Sequence, residues 1–290
     1  MAMGAADIVP GVSGGTMAFI SGIYEELIES IKSFNLQNAR LLFQKKWRLF
    51  FNRVNGAFLS ALGLGIGISG ICLARFIKFA LVNYPVWIWS FFLGLILGSA
   101  LLVTKKIDQW KIGTLTGITM GCGLAFGLTC LTPGNTPDAP WFIFASGAVA
   151  ICAMILPGIS GAFILILLGK YQFILEAVSG FNLPILFVFF GGCGCGLLGF
   201  SHILSWFLSR YKDITIAVLA GFMLGALNKV WPWKYTMESM DNAGHNTIKT
   251  INHLPDLALN LAPDGLVPAI LLSALGFLLI KVLEKKANTQ

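Results

Sequence analysis

The sequence predicts an all-α polytopic membrane protein built from two inverted repeats, each a re-entrant, broken-helix hairpin followed by three transmembrane helices. Three observations carry that expectation: a series of long apolar stretches, a short polar motif that occurs twice, and a one-sided distribution of basic residues. Of the 290 residues, 56% are hydrophobic and only 11% charged, against about 25% charged in a soluble domain. Mean hydropathy is +0.79. Apolar stretches at 54–80, 86–103, 112–131, 141–168, 183–208, 214–230 and 266–283 mostly reach the ~17–25 residues that a membrane-spanning helix needs. Residues 1–9 carry no basic start and meet a proline almost at once, so no cleavable signal peptide is expected.

The first element, residues 1–32, contains the motif DIVPGVSGGT at positions 7–16. Its proline removes a backbone donor and its glycines permit non-helical dihedrals. A break of this kind within an apolar segment survives only where it faces protein or a wet cavity. The motif returns: Ile8-Val9-Pro10-Gly11 corresponds to Ile155-Leu156-Pro157-Gly158, and Ser13-Gly14 to Ser160-Gly161, 147 positions on. Gly22, Tyr24 and Glu29 return as Gly169, Tyr171 and Glu176 at the same spacing. Further along, Gly63, Gly65, Gly67 and Gly70 return as Gly192, Gly194, Gly196 and Gly199, 129 on, and Gly94 and Gly98 as Gly221 and Gly225, 127 on. An internal repeat is the simplest source of so many ordered matches.

Repeat 1 is therefore placed at 1–131, with a hairpin at 1–32, an insert at 33–53 and spans at 54–80, 85–104 and 111–131. Repeat 2 is placed at 140–286, with a hairpin at 141–179, spans at 183–209, 213–232 and 265–283, and an outer loop at 233–264. The insert, unique to the first half, holds five basic residues between 38 and 53 and apolar residues at helical spacing. That pattern predicts an interfacial amphipathic helix lying on anionic lipid. The glycine rows sit at the small-xxx-small spacing that lets helices approach closely, and suit a homodimer contact as well as internal packing. Cys193 and Cys195 fall on Leu64 and Ile66 of the first repeat, so they read as packing positions, and no metal site is expected.

Basic residues set the orientation. With both ends of the first hairpin cytoplasmic, 14 of the 20 Lys and Arg fall in cytoplasmic segments, while the outer loops hold Lys234 and Lys249 only. The positive-inside rule is satisfied with both termini inside. Three crossings per half then make the halves inverted, the architecture of a transporter with its site at the repeat interface. The net charge of +7 belongs to these loops and does not point to nucleic acid.

Gly11-Val12-Ser13-Gly14-Gly15 also fits the Gly-x-Ser-x-Gly of a serine hydrolase. That nucleophile needs a preceding strand, a histidine and an acid. No strand is expected in this chain, and the only intramembrane histidine, His202, falls on Leu73 of the other repeat. Catalytic residues, metals and cofactors are expected to be absent. The alternative is an anion site: each break is followed by a helix whose free N–H groups and positive dipole end favour a phosphate. Ser13, Gly14, Gly15, Thr16, Ser160 and Gly161 are the candidate binding residues, with Arg75 and Lys170 as intramembrane cations. For Lys78 and Lys229, snorkelling near a helix end is the alternative to a functional role. Asp7, Glu29 and Glu176 are candidates either for coupling a proton or sodium ion or for structural pairing.

The stretch Met3 to Thr16, MGAADIVPGVSGGT, together with Leu156-Pro157-Gly158-Ile159-Ser160-Gly161, resembles the PopT family of bacterial polyprenyl-phosphate transporters over nearly the whole chain. The resemblance implies a lipid flippase of the bacterial cytoplasmic membrane that returns undecaprenyl phosphate, the carrier of cell-wall precursors, from the outer to the inner leaflet. The readings left open beside it are a secondary transporter of a small anion and, less favoured, an intramembrane enzyme acting on lipid phosphates.

Overall fold

A computed structural model describes residues 3–4, 13–134, 136–240, 246–255 and 265–287. The first half contains α1 (Gly14–Ile20), α2 (Tyr24–Lys32), α3 (Leu36–Phe43), α4 (Trp47–Arg53), α5 (Gly56–Asn83), α6 (Pro85–Thr104) and α7 (Ile112–Cys130). The second contains α8 (Pro140–Ile155), α9 (Gly161–Leu167), α10 (Tyr171–Ser179), α11 (Leu183–Arg210), α12 (Lys212–Val230), strands β1 (Lys234–Met240) and β2 (Asn246–Asn252), and α13 (Leu266–Ala287). Among the described residues, five helices are long and apolar enough to cross a membrane, or seven if each of two bent helix pairs is one span. The bends are 73° between α4 and the start of α5, and 111° between α9 and α10.

Helices begin where the local chemistry supplies what a helix start lacks. Asn35 and Asn182 accept from Asn38 N and Ile185 N at the starts of α3 and α11, and Pro85 and Pro140 open α6 and α8, where a missing N–H costs nothing. The centre of the molecule is the crossing of α6 and α12, with Ile96, Val103, Ile216, Leu219 and Met223 buried there. α6 packs most extensively on α13 and α12 on α7, while α11 lies along α8.

Glycines set how closely these helices approach. A Cβ at Gly94 would stand 1.8 Å from Ser273 O and one at Gly276 2.2 Å from Phe91 O. In the second pair, a Cβ at Gly221 would stand 2.3 Å from Ile118 O and one at Gly121 2.4 Å from Val218 O. The contacts correspond one to one: Gly94 lies 127 positions before Gly221, and Ile118 lies 155 before Ser273. The extra 28 positions, 155 against 127, fall between α12 and α13, where the strands lie.

Two expectations change. The chain does contain strands: β1 and β2 form an antiparallel hairpin with Lys234 paired to Asn252 and Met240 to Asn246. Its second strand reads NTIKTIN, where β-branched residues favour extended backbone. The amphipathic insert is two helices, α3 and α4, because Lys45 adopts a left-handed conformation with φ 55° that a continuous helix cannot accommodate. Phe43 and Trp47 are 88% and 64% exposed beside exposed Arg40, Lys45, Lys46 and Arg48, as expected of a segment lying on a lipid surface.

Gly94→Ala and Gly221→Ala, which push a methyl into a backbone carbonyl, should each destabilise the protein by about 1–3 kcal/mol. Gly63→Ala and Gly123→Ala, with nothing within 4 Å, should not. Thermal unfolding in detergent reads the difference.

Candidate functional site

The second break begins where α8 ends at Ile155, with Leu156 extended at ψ 130°. Gly158 follows at φ +88°, and a Cβ there would stand 2.9 Å from both Met223 Cα and Phe222 O. Only glycine satisfies both the dihedral and the approach to α12. Ending a helix in an apolar interior leaves its last carbonyls without partners, and here residues of the first break supply them. The single Ser13 hydroxyl hydrogen is shared between Met154 O at 3.1 Å and Leu156 O at 3.0 Å, while the oxygen accepts from Gly15 N at 3.1 Å as the cap of α1. Thr16 Oγ1 accepts from Gly158 N at 3.1 Å, and the Tyr24 hydroxyl donates to Ile155 O at 3.3 Å. Gly15 lies so close to the same backbone that a Cβ would stand 2.2 Å from Ile155 O. Ser13 and Thr16 are each 1% exposed. The start of α1 therefore meets the second break, and its polar groups complete that break.

Beyond each break the chain turns in the same way. Ile23 N donates to Ala18 O and Gly22 N to Phe19 O; 147 positions on, Lys170 N donates to Leu165 O and Gly169 N to Ile166 O. Gly22 and Gly169 take φ of +74° and +63°. This is the double hydrogen bond that closes a helix through a left-handed glycine.

The structure brings some expected residues together and keeps others apart. Ser13, Gly14, Gly15 and Thr16 lie buried against the second break. Ser160 precedes α9 without capping it through its side chain, and lines a narrow crevice with Gly158, Phe163, Thr129 and Lys229. Gly161 packs on Ala150 O, which a Cβ would meet at 2.6 Å. Lys170 sits elsewhere: 2% exposed, its ammonium donates to Thr136 O at 2.7 Å and to the Asp138 carboxylate, in the segment between α7 and α8. Arg75 is exposed on α5. Glu29 accepts from the Ser205 hydroxyl and from Lys32, tying α2 to α11, whereas Glu176 is exposed on α10. Asp7 and residues 10–12 of the first break lie outside the described residues.

Sequence reasoning placed Lys234 only in the outer loop and offered snorkelling for Lys229, so it made neither a candidate binding residue. The Lys229 ammonium lies 4.7 Å from the Phe163 ring centroid, at the Ser160 crevice. Lys234 donates to Lys229 O and lies 3.8 Å from the centroid of Trp89. Burial first, and the nearby Lys229 second, push the Lys234 amine down to about 7. The aromatic partners come from α6 and α9, far away in sequence, so the only local signal was two lysines flanking a Trp-Pro-Trp run. Beside them, an almost wholly apolar crevice opens between α6 and α13, lined by Leu93, Leu97, Ile270 and Phe277 and reaching Trp233.

Long apolar helices around a helix break that the start of α1 closes define a multi-pass helical membrane protein. The particular family follows from comparison. A profile described as VCA0040-like, undecaprenyl phosphate translocase-like, matches residues 3–248, and the chain belongs to that family. A polyprenyl-phosphate transporter of Vibrio cholerae is 47% identical over 263 residues, covering 91% of this chain and 83% of its own. A polyprenyl-phosphate transporter of Staphylococcus aureus is 31% identical over 250 residues, covering 80% of this chain and 83% of its own. No solved structure matches the chain.

Thr16→Val leaves the buried Gly158 N–H without an acceptor and should cost about 1–3 kcal/mol in thermal stability, with Thr16→Ser close to wild type. Lys234 should acetylate near neutral pH with a midpoint at about 7, rising as the neutral amine forms, well below the ordinary lysine value of about 10.4. Mass-spectrometric lysine footprinting across pH measures the midpoint.

Proposed function

We propose that this protein translocates polyprenyl phosphate, undecaprenyl phosphate in particular, from the outer to the inner leaflet of a bacterial cytoplasmic membrane, with both termini cytoplasmic. Its two halves act as inverted repeats that rock about the paired breaks, coupled to a proton or sodium gradient. The observation that carries the reading is the junction itself: Ser13 and Thr16 bonded to the backbone of the second break at Met154, Leu156 and Gly158. Such a junction opens only if its polar groups find other partners, and phosphate oxygens can accept from both the Ser13 hydroxyl and the Gly158 N–H. The matched glycine contacts of α6–α13 and α12–α7 and the duplicated turns support a repeat architecture. That both relatives are polyprenyl-phosphate transporters supports the substrate class.

A lipid substrate needs a lateral path for its chain, and the apolar crevice between α6 and α13 favours that over a small soluble anion. In this reading Ser160 and Gly161 join Ser13, Gly14, Gly15 and Thr16 at the head-group site. Arg75 attracts the head group from the outer leaflet, and Lys170 joins it only when its pair with Asp138 opens. Asp7, Glu29 and Glu176 serve coupling or pairing. Nothing in the reading requires catalysis, a metal or a cofactor. The open space beside Gly63 and Gly67 on α5 is the expected contact of a homodimer.

The test is transfer of labelled polyprenyl phosphate across proteoliposomes with an imposed proton or sodium gradient. Wild type should transfer the lipid, and Ser13→Ala/Ser160→Ala should lose about tenfold or more, the value of one hydrogen bond to a charged group. Arg75→Ala should slow capture from the outer leaflet. Full activity in all variants refutes the site, and no transfer by wild type refutes the function.

A further inference from the structure

We infer that Lys229 and Lys234 together form the docking site for a phosphate monoester dianion at the mouth of the second break. The inference rests on the transport reading for its lipid substrate, but its physical grounds are separate. Both ammonium groups are half-buried at one end of α12, and among the described residues neither forms an ion pair. Lys234 donates to the Lys229 carbonyl, which fixes its ammonium beside the last turn of α12, the turn that carries Lys229. Each faces an aromatic ring, Phe163 at 4.7 Å and Trp89 at 3.8 Å. Contacts of that kind offset only part of what burying a charge costs. Lys170 differs, since it is neutralised by Asp138. Two half-buried amines with no anion among the described residues hold their full charge only when an anion is bound beside them.

The position and charge identify which anion. Gly158 packs on Met223, and Lys229 lies six residues, about 9 Å, further along the same helix. A head group held there is therefore one short step from the break. Ser160, which makes no capping bond, lines the same crevice as Lys229 and provides a hydroxyl on the way. A phosphate monoester carries about −1.5 to −2 charges near pH 7, matching two lysines, whereas a phosphodiester carries one. The apolar crevice that reaches Trp233 begins beside Lys234, so a chain attached to the phosphate has a place outside the polar site.

The experiment uses the full chain in nanodiscs. Farnesyl phosphate, inorganic phosphate and phosphatidylglycerol are the probes, and lysine acetylation and equilibrium binding are the readouts. Farnesyl phosphate should protect Lys229 and Lys234 from acetylation in wild type, and phosphatidylglycerol should not. Lys229→Gln/Lys234→Gln should raise the Kd for farnesyl phosphate about tenfold or more, and Lys234→Arg should restore most of it. Equal protection by inorganic phosphate supports the same anion chemistry with a soluble source, and protection by farnesyl phosphate alone supports the lipid head group. Protection by neither, or equal protection by phosphatidylglycerol, overturns the inference. Because footprinting is done on wild type, the answer stands even if the double variant fails to fold. Transfer by wild-type proteoliposomes without any lysine dependence refutes the docking site alone. Lysine-dependent binding without transfer refutes the transport reading alone.

Discussion

A helix that stops inside an apolar slab must have its last carbonyls and the next free N–H groups satisfied by something other than water. In this protein the ends of that problem are joined: Ser13, Thr16 and Tyr24 of the first hairpin bond to Met154, Ile155, Leu156 and Gly158 of the second. Each bond is worth about 1 kcal/mol net, but leaving such groups unpaired costs about 1–3 kcal/mol apiece. The junction therefore locks the two hairpins to each other more firmly than their short contact would otherwise allow. It also makes the lock chemically selective, because only a ligand with acceptor oxygens can replace Thr16 at the Gly158 N–H.

The two halves share a scaffold and diverge at their chemistry. Helix pairs approach through corresponding glycines, and both hairpins turn through a left-handed glycine with the same two hydrogen bonds. Yet Thr16, which accepts from the opposite break, corresponds to Phe163, which lies under Lys229. Ile23 corresponds to Lys170, and Tyr24, buried at 2% exposure, to Tyr171, exposed at 42%. The first half thus supplies hydroxyls to the junction, while the second supplies aromatic and cationic groups around its mouth. Duplication with divergence at the breaks is what a carrier needs if its two ends meet different surroundings.

Much of this was legible without coordinates. Apolar runs located α6, α7, α11, α12 and α13 to within a few residues, because a bilayer imposes both a length and a composition. The paired breaks were legible because proline and clustered glycine within an apolar run interrupt the helix that the bilayer otherwise demands. Strands β1 and β2 were missed because a seven-residue strand between spans carries too short an alternation to stand out. The left-handed Lys45 that divides the insert was equally invisible, since lysine does not announce that conformation.

Local composition along the chain was enough for the class, a multi-pass helical membrane protein, and for the second break, where α8 ends at Ile155. Which polar groups meet was settled by tertiary packing alone. Packing committed the Ser13 and Thr16 side chains to the opposite break, tied Lys170 to Asp138, and set Lys234 against Trp89 and Lys229 against Phe163. Those pairings span up to 145 positions, from Trp89 to Lys234. They depend on how closely the glycine faces let the helices approach, a property of packing that no single segment encodes.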